Sequence, residues 1–457
     1  MSRVQEILEL VRKRNISSVQ FQWIGLDLPV RMKVSHVDFL ESHIDTGIGV
    51  GKFITMLNLL EELTPQGLYG PESSEFRIVP DLNTFSPVPY SPNNARFICE
   101  LWDIDKRPAE IDTRYFLRRV LQKASSMGYR VMAACEPEFN LYSFQDGRIV
   151  APFMETYGSP TGTFTQDAFL HELISSLIAM GTPVERFLKE GGPAFFEVQM
   201  RYADALKAAD DMATLRVAAK CVARKHGANV TFLPKPAQLG GHPGAGMHIH
   251  LSLWDTQAKE NLFHDRNDPR GLGLSQKAYN FIAGVLEHLR GLSVLCAPLV
   301  NSYKRLLDGS VAPSRIFYGG DNRDAAVRVP SQDGSKGRSA RIEFRVSDCC
   351  ANPYLAIGGV LAAGLYGIQH QIDPGDPVKA RIFELSEKER KELGVGTEKY
   401  LPRTLGEALD ELKKSRFLMD TLGENLFTEY IRLREYEWKA FREHVTDWEI
   451  YKFIDIF

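Results

Sequence analysis

The sequence has little cysteine and no long apolar run, and its charges nearly cancel. Its six cysteines include no C-x-x-C pair, which argues against a structural zinc site and a disulfide scaffold. Lysine and arginine number 55 and aspartate and glutamate 58, so the net charge of −3 gives no reason to expect nucleic acid or an anionic membrane as a partner. The longest nearly apolar stretch, residues 356–368, is too short and too glycine-rich to cross a bilayer.

What remains is the composition of a large globular protein. Hydrophobic residues make up 44% and charged residues 25% of the 457 residues. A chain of this length exceeds one ordinary compact core, so we expect two domains or one large domain with an appendage. The first residues lack the apolar core of a signal peptide, and we expect a cytoplasmic protein with reduced, mostly buried thiols.

The pattern of the chain changes near residue 102. Before this point, a helix over 4–14 precedes strands over 19–23 and 30–34, and strand and loop follow, with irregular structure over 47–51. Beyond it, helices and strands interleave in an α+β pattern. The predicted helices there cover residues 112–127, 169–180, 208–226, 275–290, 404–415 and 421–445, with Gly291 ending the fourth and 373–403 predicted as loop.

Glu136 and Glu138 lie two apart in a run of β-favouring residues that predicts a strand over 131–142. Successive strand residues alternate faces, so both carboxylates point the same way. Two like charges in one small space need either a shared proton or cations. Pro137 between them is typical of an edge strand or a bulge, which suits a rim that faces a ligand. Taken alone, however, such a pair more often lies on the solvent-exposed face of a strand.

Two further strands carry ionisable side chains with the same period. His248, His250 and Ser252 alternate with apolar residues behind a glycine loop, and residues 341–345 alternate in the same way. Unpaired buried charge is costly, so charged side chains on a face where a core requires apolar ones indicate a functional site.

Glu190 and Glu197, seven residues apart across a loop, add two carboxylates to this set. We therefore expect five carboxylates and one histidine to converge. Oxygen-rich ligation with one imidazole suits Mg²⁺ or Mn²⁺ rather than zinc. Hard divalent ions usually accompany phosphate, and the arginine-rich region 301–345 supplies the positive charge that phosphate and carboxylate oxygens need. This combination predicts phosphoryl transfer to a carboxylate substrate. Each arginine alone is equally well explained as surface charge, and His248 alone as a core histidine.

Motifs that carry a family resemblance are spread over nearly the whole chain, at residues 80–85, 136–138, 223–227, 232–236, 246–248, 301–306, 341–345 and 351–356. With them the chain resembles glutamine synthetases of the bacterial and archaeal class I type. The resemblance implies an N-terminal β-grasp domain over 1–102 and a catalytic domain over 103–457, whose curved antiparallel sheet forms a bifunnel surrounded by helices. It also implies a homo-oligomer, usually a dodecamer of two hexameric rings with active sites between subunits.

Carried over by position, the resemblance implies a role for each candidate site residue. One divalent cation would be held by Glu138, Glu190 and Glu197, and the other by Glu136, His248 and Glu343. ATP would be faced by His250, Ser252, Arg328 and Arg341, with Glu185 as a further candidate. Glutamate would be held by Gly244, Arg305, Arg323 and Arg345, and the catalytic arginines would be Arg323 and Arg328. The implied chemistry is transfer of the ATP γ-phosphoryl group to the γ-carboxylate of glutamate, followed by attack of an amine on the acyl phosphate.

The chain departs from ammonia-using members at the predicted acceptor side. Val311 stands where they carry a flap glutamate, and residues 47–51 offer no carboxylate where they carry an aspartate. An ammonium desolvated without a carboxylate is disfavoured by roughly several kcal/mol, so we expect a larger amine, as in γ-glutamylpolyamine and γ-glutamylethanolamide ligases. Two more departures alter substrate handling: residues 193–197 replace the usual Pro-Gly-Gln motif, and Pro243 replaces the asparagine before Gly244.

Three other interpretations stay open. They are an ammonia-using glutamine synthetase, a ligase for a different acid, and a non-catalytic structural or regulatory relative such as the lens-type members. All six predicted metal positions are filled, which argues against the last, because a scaffold has no reason to keep mutually repelling acids.

Overall fold

The computed structural model describes residues 2–236, 244–332 and 337–457, over which helices and strands interleave. The strands are β1 Ser18–Ile24, β2 Val30–His36, β3 Ile48–Gly51, β4 Glu75–Pro80, β5 Ser86–Pro87, β6 Asn94–Trp102, β7 Tyr129–Gln145, β8 Arg148–Val150, β9 Val184–Lys189, β10 Phe195–Met200, β11 Ala203–Asp204, β12 Asn229–Thr231, β13 Met247–Asp255, β14 Arg315–Gly320, β15 Ala325–Val329 and β16 Ile342–Phe344. The α-helices are α1 Arg3–Lys13, α2 Leu40–Thr46, α3 Thr113–Ser126, α4 Pro160–Phe164, α5 Asp167–Ala179, α6 Ala205–Lys225, α7 Gln276–Cys296, α8 Pro353–Gln369, α9 Glu387–Glu392, α10 Leu405–Lys414, α11 Arg416–Leu422, α12 Glu424–Glu443 and α13 Asp447–Phe453. The predicted α+β fold class is confirmed.

The first sheet is built from strands between residues 18 and 102, in the order β2-β1-β6-β4-β3, with β5 paired to β6. β1 and β6 run parallel, and β3 and β4 run antiparallel. The prediction of irregular structure over 47–51 is wrong, because Ile48–Gly51 pairs with β4 residue by residue. Gly47 before this strand has a φ of +68°, a left-handed conformation that favours glycine.

The second sheet lies between residues 129 and 344 and has the order β14-β15-β16-β13-β7-β10-β9. The 17-residue strand β7 is central and its register with β13 is unbroken at Pro137, so the prediction of an edge strand or a bulge there is wrong. Pro137 lies opposite Met247 of β13. On the other side of β7, β10 pairs up to Glu138 and β11 begins at Ala133, so the missing N–H of the proline falls in the interval between these two partners.

One apolar core joins both sheets and the helices, from Phe97 of β6 to Leu251 of β13 and Leu361 of α8. The long helices α7 and α8 pack against each other. The prediction that Gly291 ends a helix is wrong, since α7 continues to Cys296. Gly291 serves close packing instead, because a Cβ there would lie 2.8 Å from a methyl carbon of Leu418.

The C-terminal third is more helical than predicted. Residues 373–403 contain α9, and the helix expected over 421–445 is interrupted at Gly423, whose φ of +87° favours glycine. No helix within the described ranges is long and apolar enough to cross a membrane. The division at residue 102 and the cytoplasmic location stay predictions.

Candidate active site

A cavity of about 400 Å³ opens over the second sheet, and its wall is unusually rich in charge. All six predicted metal positions line it: Glu136, Glu138, Glu190, Glu197, His248 and Glu343. So do six of the residues predicted for substrate and catalysis: Gly244, Arg305, Val311, Arg323, Arg328 and Arg345. Carboxylates and guanidiniums distant in sequence are therefore brought into one space.

Strand register explains how the acids meet. His248 of β13 lies directly opposite Glu136 of β7, and Glu197 of β10 lies opposite Glu138. Glu343 of β16 lies opposite His250 on the other side of β13. Because opposite residues on neighbouring strands have their Cβ atoms about 4.5–5.5 Å apart, these pairings place the ionisable side chains in contact range.

Among the residues that the structure describes, two groups of side chains have ligand atoms within 4.8 Å of one another, which is close enough to share a cation. One group is Glu136, His250 and Glu343, and the other is Glu136, Glu197 and His248. Carboxylate oxygens with one imidazole form the donor set of a hard divalent cation, so these residues fit Mg²⁺ or Mn²⁺. The grouping differs from the two sets carried over from the family, because Glu136 is common to both groups.

Burial sets the protonation of this cluster. It raises the pKa of Glu138 to about 8, although the Arg305 guanidinium acts against it. It raises the pKa of Glu197 to about 7, with the Glu136 carboxylate adding to the effect. Burial and the Arg345 guanidinium lower the pKa of His248 to about 4, so its imidazole is neutral near pH 7 and can act as a ligand.

Glu343 is held between two arginines. Arg328 donates to its Oε2 at 2.5 Å, and Arg345 donates to its Oε1. Burial raises the pKa of Glu343, but the imidazoles of His250 and His248 and these two guanidiniums lower it to about 2. This carboxylate is therefore ionised throughout the physiological range.

Arg305 lies beneath a glycine cradle and is 2% exposed. Its terminal nitrogens donate to the carbonyl oxygens of Val346 and Arg345, both at 3.2 Å. A Cβ at Gly246 would lie 2.6 Å from this guanidinium, so glycine allows the guanidinium to pack closely against the backbone. Gly244 has a φ of +108°, whereas Pro243 before it lies outside the described residues.

The loop that carries Val311 is fixed at both ends. Asp308 accepts hydrogen bonds from Ser314 Oγ and from the Tyr400 hydroxyl. The fully buried Arg315 lies 3.7 Å from the Asp308 carboxylate and 3.9 Å from the centre of the Tyr400 ring. Val311 itself is 53% exposed in the cavity wall, so its side chain is presented to the cavity from an anchored loop.

The residues predicted to face ATP, apart from Arg328, are not part of this wall. His250 accepts from Arg341 at Nδ1, 3.1 Å away, and its Nε2 lies 3.1 Å from a carboxylate oxygen of Glu136. Ser252 accepts from the Trp254 indole at 3.0 Å. His250 and Ser252 lie along β13 and Arg341 lies beside it, and His250 itself belongs to one of the groups that fit a cation. Glu185 is solvent-exposed at the start of β9.

Several wall residues were not among the predicted ones: Tyr157, Arg186, Leu188, Phe195, Gln199 and Ala312. Strand alternation could have identified four of them, because Arg186 and Leu188 share the face of Glu190, and Phe195 and Gln199 share that of Glu197 on β10. Glu185 has the opposite parity to Glu190.

The comparisons with known proteins agree with this geometry. A family model described as "Glutamine synthetase, catalytic domain" matches residues 110–453. A glutamine synthetase of Thermotoga maritima is 33% identical over 458 residues, with 99% of each chain covered. One of Methanocaldococcus jannaschii is 34% identical over 469 residues, covering 99% of this chain and 98% of the relative.

Solved structures show the same likeness. The structure named "GmaS/ADP complex-Conformation 1" superposes with a TM-score of 0.86 at 28% identity, covering 98% of this chain and 99% of the other. One named "Crystal structure of novel glutamine synthase homolog" has a TM-score of 0.81 at 27% identity, covering 96% and 97%. The chain therefore belongs to the glutamine synthetase family and is an ATP-dependent carbon–nitrogen ligase.

Proposed function

We propose that the protein joins the γ-carboxylate of glutamate to a primary amine larger than ammonia. The family uses glutamate, ATP, an amine and divalent metals, and it oligomerises. Here ATP would transfer its γ-phosphoryl group to the γ-carboxylate and leave as ADP. The amine nitrogen would then attack the acyl carbon, phosphate would leave, and an amide would form. The proposal includes a dodecamer of two hexameric rings and Mg²⁺ or Mn²⁺ as the metal.

The arginines and glycines of the cavity supply the substrate contacts in this proposal. Arg305 and Arg345 are buried guanidiniums that would pair with the carboxylates of glutamate, while Arg323 and Arg328 would neutralise charge on the transferred phosphoryl group. Divalent cations held by the acids and His248 would stabilise the charge that develops on the phosphate oxygens. His250, Ser252 and Arg341 would lie on the nucleotide side.

One observation carries the choice of amine: Val311 occupies the cavity wall where a carboxylate is expected for ammonium. Ala312, beside it in the wall, is apolar too. Residues 47–51 carry no acid, and the nearby Glu75 is paired with Arg77 at 2.9 Å. Without these two acids, the acceptor side favours an amine with an apolar part. That part would contact Val311 and Ala312, in place of the ionic contact that ammonium makes with a carboxylate.

An amine panel tests the proposal. Purified protein is mixed with ATP, Mg²⁺ and glutamate, and phosphate release is measured with ammonia, methylamine, ethanolamine or putrescine. We expect at least one amine to give a higher kcat/KM than ammonia, because the apolar wall stabilises its carbon chain. Ammonia performing as well as the best amine would refute the proposal.

The second candidate is an ammonia-using glutamine synthetase, which the names of the two relatives favour. Val311→Glu separates the two candidates. It should raise kcat/KM for ammonia by about tenfold, since a hydrogen bond to a charged group contributes about 1.5–3 kcal/mol. Val311→Gln, with the same length and no charge, serves as the matched control and should not raise it. Ammonia use unchanged in both variants would mean that residue 311 does not face the acceptor.

A further inference from the structure

Arg186 is a cation of the cavity wall to which no role has been given so far. It lies on β9, opposite Gln199 of β10. Its Nε donates to Gln199 Oε1, and Gln199 Nε2 in turn donates to Glu197 Oε1. An amide has a carbonyl on one side and an NH₂ group on the other, so these two bonds fix the orientation of Gln199.

This arrangement leaves the end of the guanidinium available. Within the described ranges, neither terminal nitrogen of Arg186 has a hydrogen bond, and no carboxylate lies within ion-pair distance of it. A guanidinium has five donors in a rigid fork that matches the oxygens of phosphate or carboxylate. Arg186 is thus held through Nε and presents its two terminal nitrogens at the cavity.

Strand register shows towards which end of the cavity Arg186 lies. Glu197 is opposite Glu138, and Gln199 lies two residues further along β10, about 7 Å away. Because β10 and β7 are antiparallel, this step leads along β7 towards Glu136. The same direction along β13 leads from His248 to His250 and Ser252, the residues of the nucleotide side.

The opposite direction leads to the acceptor side. In this direction along β9, Arg186 is followed by Leu188 and then by Glu190, just after the end of the strand. The Val311 carbonyl accepts a long hydrogen bond, at 3.5 Å, from Arg345, which lies beyond β16 on the side away from Arg341. A carboxylate carried by the amine would therefore not meet Arg186, whereas an anion on the nucleotide side would.

We propose that Arg186 binds the polyphosphate of the nucleotide and that Gln199 is a positioning residue that holds the guanidinium in place. The inference rests on the proposed function, in which ATP donates its γ-phosphoryl group. Nucleotide phosphates are the anions this reaction requires, and Arg186 would add to the charge that Arg328 supplies from the other edge of the cavity.

Calorimetric titration of the full-length protein with AMP-PNP and Mg²⁺ tests this inference. Arg186→Ala should weaken the Kd by about tenfold, Arg186→Lys should recover part of the loss, and Gln199→Ala should give an intermediate loss. The KM for glutamate should stay unchanged. The matched control is Arg130→Ala, which removes an exposed arginine of β7 that is paired with Asp204 at 2.7 Å, and it should bind as the wild type does.

The outcomes separate the two proposals. Wild-type affinity for AMP-PNP in Arg186→Ala would overturn the inference, as would a raised KM for the amine with unchanged nucleotide affinity. A wild-type protein that binds no AMP-PNP would overturn the proposed function itself. Thermal unfolding of each variant, with Arg186→Gln as a bulkier replacement, shows whether a lost affinity comes from a lost fold.

Discussion

Replacing Arg114 with methionine is expected to lower the free energy of unfolding by about 3–5 kcal/mol. Arg114 of α3 is almost fully buried and donates to Glu100 of β6, Asp210 of α6 and Asp81 after β4, at 2.8–2.9 Å. Methionine keeps much of the side-chain volume but leaves three carboxylates without their shared counter-charge. Chemical denaturation followed by fluorescence measures the change.

Two further variants identify the cause. Arg118 also contacts Glu100, but its side chain is 38% exposed, so Arg118→Met should cost only about 0.2–1 kcal/mol. Adding Asp210→Asn to Arg114→Met should restore part of the stability, because among the described residues Asp210 forms an ion pair with Arg114 alone, whereas Glu100 keeps Arg118. Equal losses for the two arginines, or no recovery in the double variant, would show that lost packing rather than stranded charge determines the effect.

Glu136→Gln is expected to lower kcat by about 10³-fold with every amine, which corresponds to a loss of about 4 kcal/mol of transition-state stabilisation. Glu136 belongs to both groups that fit a cation, and an amide is a weaker ligand than a carboxylate. Glutamine has nearly the same shape, so the fold should be kept. Phosphate release gives the rate, and electron paramagnetic resonance of bound Mn²⁺ gives the metal affinity.

The control for this variant is Glu260→Gln, which neutralises a solvent-exposed glutamate beyond the end of β13. It should leave both the rate and Mn²⁺ binding at wild-type values. A Glu136→Gln protein that keeps activity within about tenfold of the wild type and binds Mn²⁺ equally well would remove Glu136 from the metal site.

Much of the site could be predicted from the sequence because it is built on strands. A period of two assigns Glu136, Glu138 and His248 to one face whatever the tertiary structure, and an apolar core makes ionisable groups on that face conspicuous. The helix beginning after Asp112 could be predicted for a similar local reason, since its side chain accepts from the backbone of Tyr115.

Other features depend on contacts that no local pattern records. Gly291 resembles a helix terminator until Leu418 packs against it, and Pro137 resembles an edge residue until two partner strands leave an interval beside it. Strand alternation places Arg186 on the face of Glu190, but the hydrogen bond to Gln199 that holds its guanidinium is visible only in the structure. The joint grouping of Glu136 with His250 and Glu343 follows from strand register.

The contacts that anchor the 308–315 loop fix its backbone and do not involve the side chain at position 311. The backbone is held by contacts among Asp308, Tyr400 and Arg315, whereas the side chain of Val311 is about half exposed. Saturation mutagenesis at this one codon should consequently yield a graded family of enzymes with different acceptor preferences. Such a library can be selected for new amide products without altering the contacts that anchor the loop.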